Sequence, residues 1–200
     1  MIKTIIFDIG RVLVGYDWDG YFMEVFEGDR LLVNRIEDAF FGHGMWEELD
    51  RGVMSGEEVL QAFISADPEL EEQIAMAYGR MGEVIYQYEF TKPWLRELKS
   101  RGYQLLYLSN WSYQLLEQRP DVMDFTELMD GGIYSCHVKL IKPDEGIYRA
   151  LADKYELTPS ECVFLDDRID NIEAAKKFGY EGIVVKNHEQ AVEELEKILK

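Results

Sequence analysis

Residues 5–14 of the chain read IIFDIGRVLV, an apolar run interrupted by Asp8. Aspartate is uncommon inside strands, so we expect Asp8 at the carboxyl end of a buried parallel strand, and we assign residues 3–14 to this first strand segment. Open α/β sheets bind their ligands at this end of their strands. Gly10 is expected to let the backbone turn tightly beside Asp8. The segment predicts a nucleophilic or metal-binding carboxylate, with an aspartate that only caps a turn as the alternative.

The chain is strongly acidic, with a net charge of −18 from 39 acidic and 21 basic residues. This charge argues against non-specific nucleic-acid binding and against binding to anionic membranes. An anionic substrate would therefore need local positive charge in its site. The 200 residues, 47% of them apolar, fit one domain, or one domain with an inserted subdomain.

The two cysteines, Cys136 and Cys162, are too few for a disulfide framework and lie in apolar runs, which predicts reduced core residues. Only four residues separate Lys3 from Asp8, so no signal peptide is expected. No apolar run reaches the ~18–20 residues that span a membrane. We therefore expect a cytoplasmic protein that is a monomer by default.

Residues 16–88 lack strand patterns and instead carry apolar residues at three- and four-residue spacing, which is typical of amphipathic helices. Ser55 and Glu58 form a capping box that begins one of these helices. We predict a bundle of four or five helices in this segment. The predicted domains are a core of residues 1–15 and 89–200 and a helical insertion of residues 16–88.

From Thr91 onwards, short apolar runs alternate with helical segments. The predicted strands are Gln104–Leu108, Gly132–Ser135, Cys162–Leu165 and Gly182–Val185. A second capping box is predicted at Thr158–Glu161. This alternation predicts an α/β fold with a Rossmann-like, doubly wound parallel sheet.

Polar residues stand at the ends of three predicted strands. They are Asp8, then Ser109 with Asn110, then Asp166 with Asp167, and Lys142 precedes the third strand. Because the carboxyl ends of parallel strands meet at one edge of a sheet, we expect these side chains to converge.

The chemistry of such a set follows from its charges. A carboxylate can attack phosphorus and form an acyl-phosphate, which makes Asp8 a candidate nucleophile. Neighbouring carboxylates would repel a phosphate dianion unless a divalent cation lay among them, and oxygen ligands favour Mg²⁺. Lys142 would keep the nucleophile ionised, and Ser109 and Asn110 would hold phosphoryl oxygens. Each residue alone has an ordinary explanation: Lys142 as a solvated lysine, Asp166 and Asp167 as a helix N-terminus, and Ser109 and Asn110 as a cap. Their arrival in this order, each next to a strand end, favours an active site.

The motif order Phe-Asp-x-Gly, Leu-Ser-Asn, Lys-Pro and Leu-Asp-Asp-x-x-x-Asn resembles the haloacid dehalogenase (HAD) superfamily. The motifs lie at Phe7–Gly10, Leu108–Asn110, Lys142–Pro143 and Leu165–Asn171. The helical insertion resembles the C1 cap of subfamily I. More narrowly, Trp46, Asp50-Arg51-Gly52 and Ile133-Tyr134-Ser135 are similar to the bacterial α-D-glucose-1-phosphate phosphatase branch. The resemblance covers nearly the whole chain and implies a Mg²⁺-dependent phosphoric monoester hydrolase that acts on small-molecule phosphate esters, with sugar phosphates expected.

The resemblance also implies a role for each matching position. Asp8 would be the nucleophile and a Mg²⁺ ligand, with further ligands from the Gly10 backbone carbonyl, Asp167 and, directly or through water, Asp166. Ser109, with Asn110 at its side, would bind the transferred phosphoryl group, and Lys142 would bridge Asp8 and the phosphate.

One position departs from the family pattern. Most HAD phosphatases carry a second aspartate two residues after the nucleophile, and it protonates the leaving group and then activates water. Gly10 stands there, so this role is unassigned. Asp17 is one candidate, with a solvated hinge residue as the alternative, and Arg11 is either a substrate contact or a turn residue. Water would serve a sugar 1-phosphate at a cost of up to ~10²–10⁴-fold in rate.

The missing aspartate leaves two other functions open. Haloacid dehalogenases also lack it, attack carbon and need no metal. Asp166 and Asp167 argue against that function, because a metal-free site would leave both carboxylates repelling Asp8. A pseudoenzyme that binds phosphate but turns over poorly is the second alternative, and Gly10 is its only support.

Specificity is expected in the insertion, because the core motifs contact only the phosphate. The candidate substrate contacts are Phe41, His43, Trp46, Arg51 and, beyond the Ser-Asn motif, Trp111. A surface histidine in a turn is the alternative for His43. The many aromatic residues of the insertion are expected to form its own core, with a cofactor-binding site as the alternative.

Overall fold

The structure, a computed structural model, describes residues 1–200 and contains seven strands and eleven α-helices. The strands are β1 (Thr4–Phe7), β2 (Val14–Tyr16), β3 (Ile85–Gln87), β4 (Gln104–Ser109), β5 (Gly131–Tyr134), β6 (Cys162–Asp166) and β7 (Glu181–Val184). Five of them form a sheet in the order β5-β4-β1-β6-β7, and every neighbouring pair is parallel. The predicted α/β fold with a doubly wound parallel sheet is confirmed.

The register of the sheet brings the polar strand ends together. Phe7, the last residue of the central strand β1, lies opposite Tyr107 of β4 and Leu165 of β6. The next residue, Asp8, donates its backbone N–H to the Leu165 carbonyl oxygen at 2.8 Å. The carboxyl ends of β1, β4 and β6 therefore form one edge of the sheet.

The first strand is shorter than the predicted segment 3–14. It ends at Phe7, and the backbone N–H groups of Leu13 and Val14 both donate to the Ile9 carbonyl oxygen, at 2.8 and 3.0 Å, which closes a tight turn. The residue with left-handed backbone geometry in this turn is Arg11 (φ 57°), not Gly10. The role that the sequence assigned to Gly10 in the turn was wrong.

Strand β2 pairs with β3 as a separate antiparallel ribbon, in which Val14 lies opposite Gln87 and Tyr16 opposite Ile85. Each strand has only three residues, too few to show a period-two pattern, so the sequence reading of 16–88 as wholly helical missed them.

The helices occur in two groups. Between the ribbon strands lie α1 (Trp18–Val25), α2 (Arg30–Phe41), α3 (Met45–Arg51), α4 (Gly56–Ala66) and α5 (Glu71–Arg80). Around the sheet lie α6 (Thr91–Ser100), α7 (Tyr113–Gln118), α8 (Ser135–Val138), α9 (Glu145–Tyr155), α10 (Ile169–Phe178) and α11 (His188–Ile198). None of these helices has both the length and the apolar composition needed to cross a membrane.

The two predicted capping boxes differ in outcome. At α4, the Ser55 hydroxyl accepts from the Glu58 backbone N–H at 3.2 Å, and the Glu58 carboxylate accepts from the Ser55 backbone N–H at 2.8 Å. At Thr158–Glu161 the expected brief turn is present as a 3₁₀ helix, but it has no side-chain cap, so the prediction of a capping box there was wrong.

Apolar side chains cover both faces of the sheet. Ile5 and Phe7 belong to a cluster that continues into the first helix group through Phe22, Phe40 and Phe63, whereas Ile6 packs in a second cluster on the opposite face. Each fully buried side chain of this size contributes about 1.5–3 kcal/mol. This packing holds the strand ends in place for the site described below. Both cysteines are buried and free, as predicted.

Candidate active site

Four polar side chains that the sequence singled out meet at the carboxyl edge of the sheet. The Lys142 Nζ atom lies 2.8 Å from Asp8 Oδ1 and 2.6 Å from Asp166 Oδ2. The Ser109 hydroxyl donates to Asp8 Oδ1 at 2.7 Å. All four residues are buried. The carboxylate of Asp8 is therefore held in a fixed orientation by a hydroxyl group and an ammonium group.

Burial and charge set the ionisation of this cluster. Burial, with a smaller contribution from Asp166, raises the pKa of Asp8 to about 6, although Lys142 and Ser109 act in the opposite direction. Burial would lower the pKa of Lys142, but the two carboxylates beside it keep that pKa above its usual value. At neutral pH, Asp8 is therefore an ionised carboxylate beside a charged lysine.

The third carboxylate of the cluster belongs to Asp167. Oxygen atoms of Asp8, Asp166 and Asp167 all lie within 4.8 Å of one another. Burial and the Asp166 charge raise the pKa of Asp167. One buried lysine faces three carboxylates, and Arg11, 3.7 Å from Asp167, is largely exposed. An oxygen-rich set with an excess of negative charge fits a hard divalent cation, and Asp8, Asp166 and Asp167 would hold it.

Asn171 fixes the orientation of the Asp166 carboxylate. Its side-chain amide nitrogen donates to both carboxylate oxygens of Asp166, at 3.0 Å each, while its own amide oxygen is buried without a hydrogen-bond partner in the chain. Asp166 also accepts from the backbone N–H of Arg168 at 2.8 Å. The orientation of Asp166 is thus fixed by its neighbours.

Two residues predicted to contact substrate have other roles. The Asn110 side-chain oxygen accepts from the Lys142 backbone N–H at 2.8 Å, and its amide nitrogen donates to the Lys142 carbonyl oxygen at 3.0 Å. The Asn110 side chain therefore positions the lysine, and the residue also borders the cavity. Trp111 is only 1% exposed and packs its ring 6.0 Å from that of Tyr16. The prediction that Trp111 contacts substrate was wrong, because the chain turns it into the core directly after Asn110.

A cavity of about 750 Å³ opens above the strand ends. From the sheet side it is bordered by Asp8, Gly10, Arg11, Ser109, Asn110, Lys142, Asp167, Arg168 and Asn171. From the helices between β2 and β3 it is bordered by Trp18, Glu37, Asp38, Phe41, Gly42, Trp46, Glu47 and Asp50, with Tyr16 and Leu115 completing it. Residues at the strand ends and residues of the helices between β2 and β3 therefore border a common space.

Three aromatic rings form one wall of this cavity. The ring of Trp46 lies 5.5 Å from that of Trp18 and 4.8 Å from that of Phe41, between ring centres. Phe41 and Trp46 were predicted substrate contacts, and Trp18 was not. The other two predicted contacts lie elsewhere: His43 is exposed beside Asp38 at 3.5 Å, and Arg51 lies 3.8 Å from Asp144.

Sequence reasoning missed Tyr16 and Asp50 as residues of the site. Asp50 is 7% exposed, on the inward side of α3. Its position four residues after Trp46 places it on the apolar stripe of that helix, and a charged residue there was the available signal. Asp17, the candidate for the missing acid, instead caps α1 by accepting from the Gly20 backbone N–H at 3.0 Å.

Comparison with known proteins identifies the family. A model of the haloacid dehalogenase-like hydrolases matches residues 2–179. Phosphatase MT3486 of Mycobacterium tuberculosis is 25% identical over 194 residues, which cover 92% of this chain and 87% of that protein. Mouse bifunctional epoxide hydrolase 2 is 40% identical over 75 residues, 38% of this chain. The match spans only 14% of that relative, and 19% of its rat and pig counterparts.

Solved structures share the fold. A HAD-family enzyme of Bacteroides thetaiotaomicron, in complex with magnesium and inorganic phosphate, has a TM-score of 0.74 and 20% identity over 93% of this chain and 95% of that one. An L-2-haloacid dehalogenase of Xanthobacter autotrophicus has a TM-score of 0.65 and 19% identity, covering 96% of this chain and 80% of that one. The family match covers most of the chain, and the protein belongs to the haloacid dehalogenase-like hydrolases.

Proposed function

We propose that the protein is a Mg²⁺-dependent phosphatase that hydrolyses small phosphate monoesters through an aspartyl-phosphate on Asp8. The observation that carries the proposal is the set of three carboxylates within 4.8 Å, one of which is bonded to both Ser109 and Lys142. A nucleophile that attacks phosphorus needs this combination of ionised carboxylate, cationic neighbours and room for a divalent cation. The similarity to Phosphatase MT3486 supports the same chemistry.

The chain's own residues divide the work of the first half-reaction. Lys142 keeps Asp8 ionised and faces the incoming phosphate, which also contacts the Ser109 hydroxyl. Asp8 attacks the phosphorus atom and the bond to the leaving-group oxygen breaks. A Mg²⁺ ion held by Asp8, Asp166, Asp167 and the Gly10 carbonyl would supply positive charge to the transferring phosphoryl group.

The helices of residues 16–88 are proposed to act as a cap over a core of residues 1–15 and 89–200. Two observations support this division. The two chain segments that connect the parts pair as the β2–β3 ribbon, and the helices border the cavity above the strand ends. The aromatic wall of Trp18, Phe41 and Trp46 suits the apolar face of a sugar ring. We therefore propose sugar phosphates as the substrate class, with glucose 1-phosphate first to be tested because of the branch resemblance.

Dehalogenation is the second candidate, and the 26% identity to (S)-2-haloacid dehalogenase 4A of Burkholderia cepacia over 111 residues is its support. The charge of the site disfavours it. Without a cation, Asp166 and Asp167 would repel Asp8 and lower its ability to attack carbon as a fixed, ionised nucleophile.

The test is phosphate release from a panel of sugar 1-phosphates and sugar 6-phosphates, with Mg²⁺ and with EDTA, by the wild type and Asp8→Asn. We expect release that requires Mg²⁺ and is lost in the variant. Halide release from a 2-haloacid that persists in EDTA would establish the dehalogenase instead. Binding of Mg²⁺ and phosphate without turnover of any panel member would establish the pseudoenzyme.

A further inference from the structure

Gly10 cannot exchange a proton with the leaving group, and its surroundings exclude another side chain from taking that space. A Cβ atom on Gly10 would lie 2.8 Å from the Tyr16 hydroxyl oxygen, so Tyr16 already fills the position. Burial, together with the charges of Asp8, Asp50 and Asp167, holds the pKa of Tyr16 well above its usual value. Tyr16 is therefore a neutral hydroxyl and only a weak acid near neutral pH, so a carboxyl group of the cavity is the better source of the proton.

Six carboxyl groups border the cavity: Asp8, Glu37, Asp38, Glu47, Asp50 and Asp167. Asp8 is the nucleophile, and Asp167 belongs to the carboxylate cluster at the strand ends. Asp38 and Glu47 are exposed, and Glu37 is half-buried. Asp50 alone is buried and stands outside that cluster.

The position of Asp50 over the strand ends is fixed by contacts of its helix. The Ser135 hydroxyl, at the end of β5, donates to the Asp50 carbonyl oxygen at 2.5 Å and accepts from the Trp111 backbone N–H at 2.8 Å. Gly52, which ends α3 in a left-handed conformation (φ 67°), packs so closely on Cys136 that a Cβ atom there would lie 2.8 Å from the Cys136 Cβ. The last turn of α3 is thus joined to the sheet at two points.

The groups around the Asp50 carboxyl favour its neutral form. Asp8 faces it from the sheet, Glu47 from its own helix and Lys142 from the loop before α9, while Tyr16 and Cys136 are its other titratable neighbours. Burial first, and then the charges of Asp8 and Glu47, raise the pKa of Asp50 to about 8, although Lys142 and a hydrogen bond with the Trp46 side chain oppose this. A carboxyl group that carries a proton at neutral pH can act as a general acid.

We propose that Asp50 is the general acid and base of the reaction, supplied by α3 in place of the side chain that position 10 lacks. The assignment rests on the phosphatase function proposed above. When Asp8 attacks phosphorus, the bond between phosphorus and the leaving oxygen breaks, and the Asp50 proton passes to that oxygen to give a neutral alcohol. The Asp50 carboxylate then takes a proton from water as the water oxygen attacks phosphorus. The bond to Asp8 breaks, inorganic phosphate leaves, and Asp50 is again protonated.

The leaving group provides the test. The 4-nitrophenolate ion leaves without a proton, whereas the alkoxide of a sugar 6-phosphate does not. In single-turnover experiments, Asp50→Asn is expected to slow alcohol release from glucose 6-phosphate by ~10²–10⁴-fold. With 4-nitrophenyl phosphate in excess over the enzyme, 4-nitrophenolate should be released as one burst per active site, at a rate within about threefold of the wild type. The phosphoenzyme should then accumulate, because its hydrolysis lacks the base.

Two further variants keep the result interpretable. Asp50→Glu, which retains a carboxyl group, should recover part of the lost rate on glucose 6-phosphate. Glu48→Gln, on the same helix but outside the cavity, should leave both substrates unaffected. In the wild type, alcohol release from glucose 6-phosphate should fall with rising pH as Asp50 loses its proton, and this fall should be absent in Asp50→Asn.

The outcomes separate this assignment from the proposed function. If Asp50→Asn slows both substrates equally and gives no burst, Asp50 is a structural residue and the assignment is wrong, while the phosphatase stands. If the wild type hydrolyses neither 4-nitrophenyl phosphate nor any sugar phosphate of the panel above, or if Asp8→Asn retains activity, the phosphatase mechanism itself fails and this assignment fails with it.

Discussion

The hydroxyl oxygen of Tyr16 occupies the space into which a side chain at Gly10 would extend, 2.8 Å from the place of a Cβ atom. The backbone of Gly10 lies outside the left-handed region, so its conformation does not require glycine. The glycine is required by the tyrosine, whose ring atom Cε2 would also lie 3.2 Å away. The two residues therefore form one unit: the absence of one side chain makes room for the other.

This relationship predicts a coupled effect on stability. Gly10→Ala is expected to lower the free energy of unfolding by about 1–3 kcal/mol, the usual effect of overpacking. In a Tyr16→Ala background the same substitution should have a much smaller effect, because the ring is gone. Urea unfolding of the two single variants and the double variant measures the coupling. Gly79→Ala is the control: it lies in α5 with nothing within 4 Å, and should be neutral or stabilising.

Removal of the buried lysine should be among the most destabilising single changes. Lys142→Met leaves the carboxylates of Asp8 and Asp166 buried without their cation, for which we expect a loss of about 3–5 kcal/mol in Mg²⁺-free buffer. Lys3→Met breaks an exposed pair with Glu161 and should change stability by less than about 1 kcal/mol. Urea unfolding at pH 7 compares them, and equal effects would mean that the buried cluster adds no charge stabilisation.

Asp50 should make the folded protein less stable as the pH rises. Its pKa is about 8 in the folded chain and 3.8 as an isolated side chain, so between these values the folded state holds a proton that the unfolded state has released. Stability therefore falls from about pH 4 to pH 8. Asp50→Asn does not ionise, and we expect it to exceed the wild type by a few kcal/mol at pH 9 and by little at pH 4. Thermal unfolding across this range measures the difference, and a constant difference would mean an unperturbed Asp50.

The carboxylate cluster should bind Mg²⁺ without any substrate. Saturation at ~100 times the dissociation constant should stabilise the wild type by about 2.7 kcal/mol. Asp167→Asn is expected to weaken binding at least ~10-fold, because it removes one of three converging carboxylates. Asp170→Asn removes a carboxylate in the first turn of α10 that pairs with Arg168 and is not part of the cluster, and this variant should bind Mg²⁺ as the wild type does. Titration calorimetry with Mg²⁺ measures the dissociation constant of each variant. If Asp167→Asn and Asp170→Asn weakened Mg²⁺ binding equally, the ion would bind elsewhere.

The sequence predicted the parts of the molecule that depend on local patterns. Buried parallel strands appear as apolar runs, and the polar residues at their ends identified Asp8, Ser109 and Asp166 before any geometry was known. Lys142 was singled out because it precedes the third of these strands. These residues meet because the sheet is parallel, and that followed from the alternation of strands and helices.

Features that depend on contacts between distant segments were not predictable in the same way. The β2–β3 ribbon joins residues about 70 positions apart through strands too short to carry a pattern. Trp111 directly follows the site residue Asn110 in sequence, but its side chain is buried in the core. Asp50 reaches the cavity only because Ser135 and Cys136 hold its helix over the sheet.

The aromatic wall of the cavity should determine binding of the leaving group and not of the phosphate. Phe41 borders the cavity, is 45% exposed, and contacts Trp18 and Trp46 through its ring, so its truncation removes apolar surface without unfolding the core. For Phe41→Ala we expect KM for a sugar phosphate to rise about 10-fold, since the loss of a sugar-stacking surface is worth roughly 1–2 kcal/mol. Inhibition by inorganic phosphate, which reaches only the strand ends, should be unchanged. Steady-state kinetics with inorganic phosphate as competitor measures KM and the inhibition constant of phosphate. If inhibition by phosphate weakened as much as sugar-phosphate binding, the aromatic wall would shape the whole site instead.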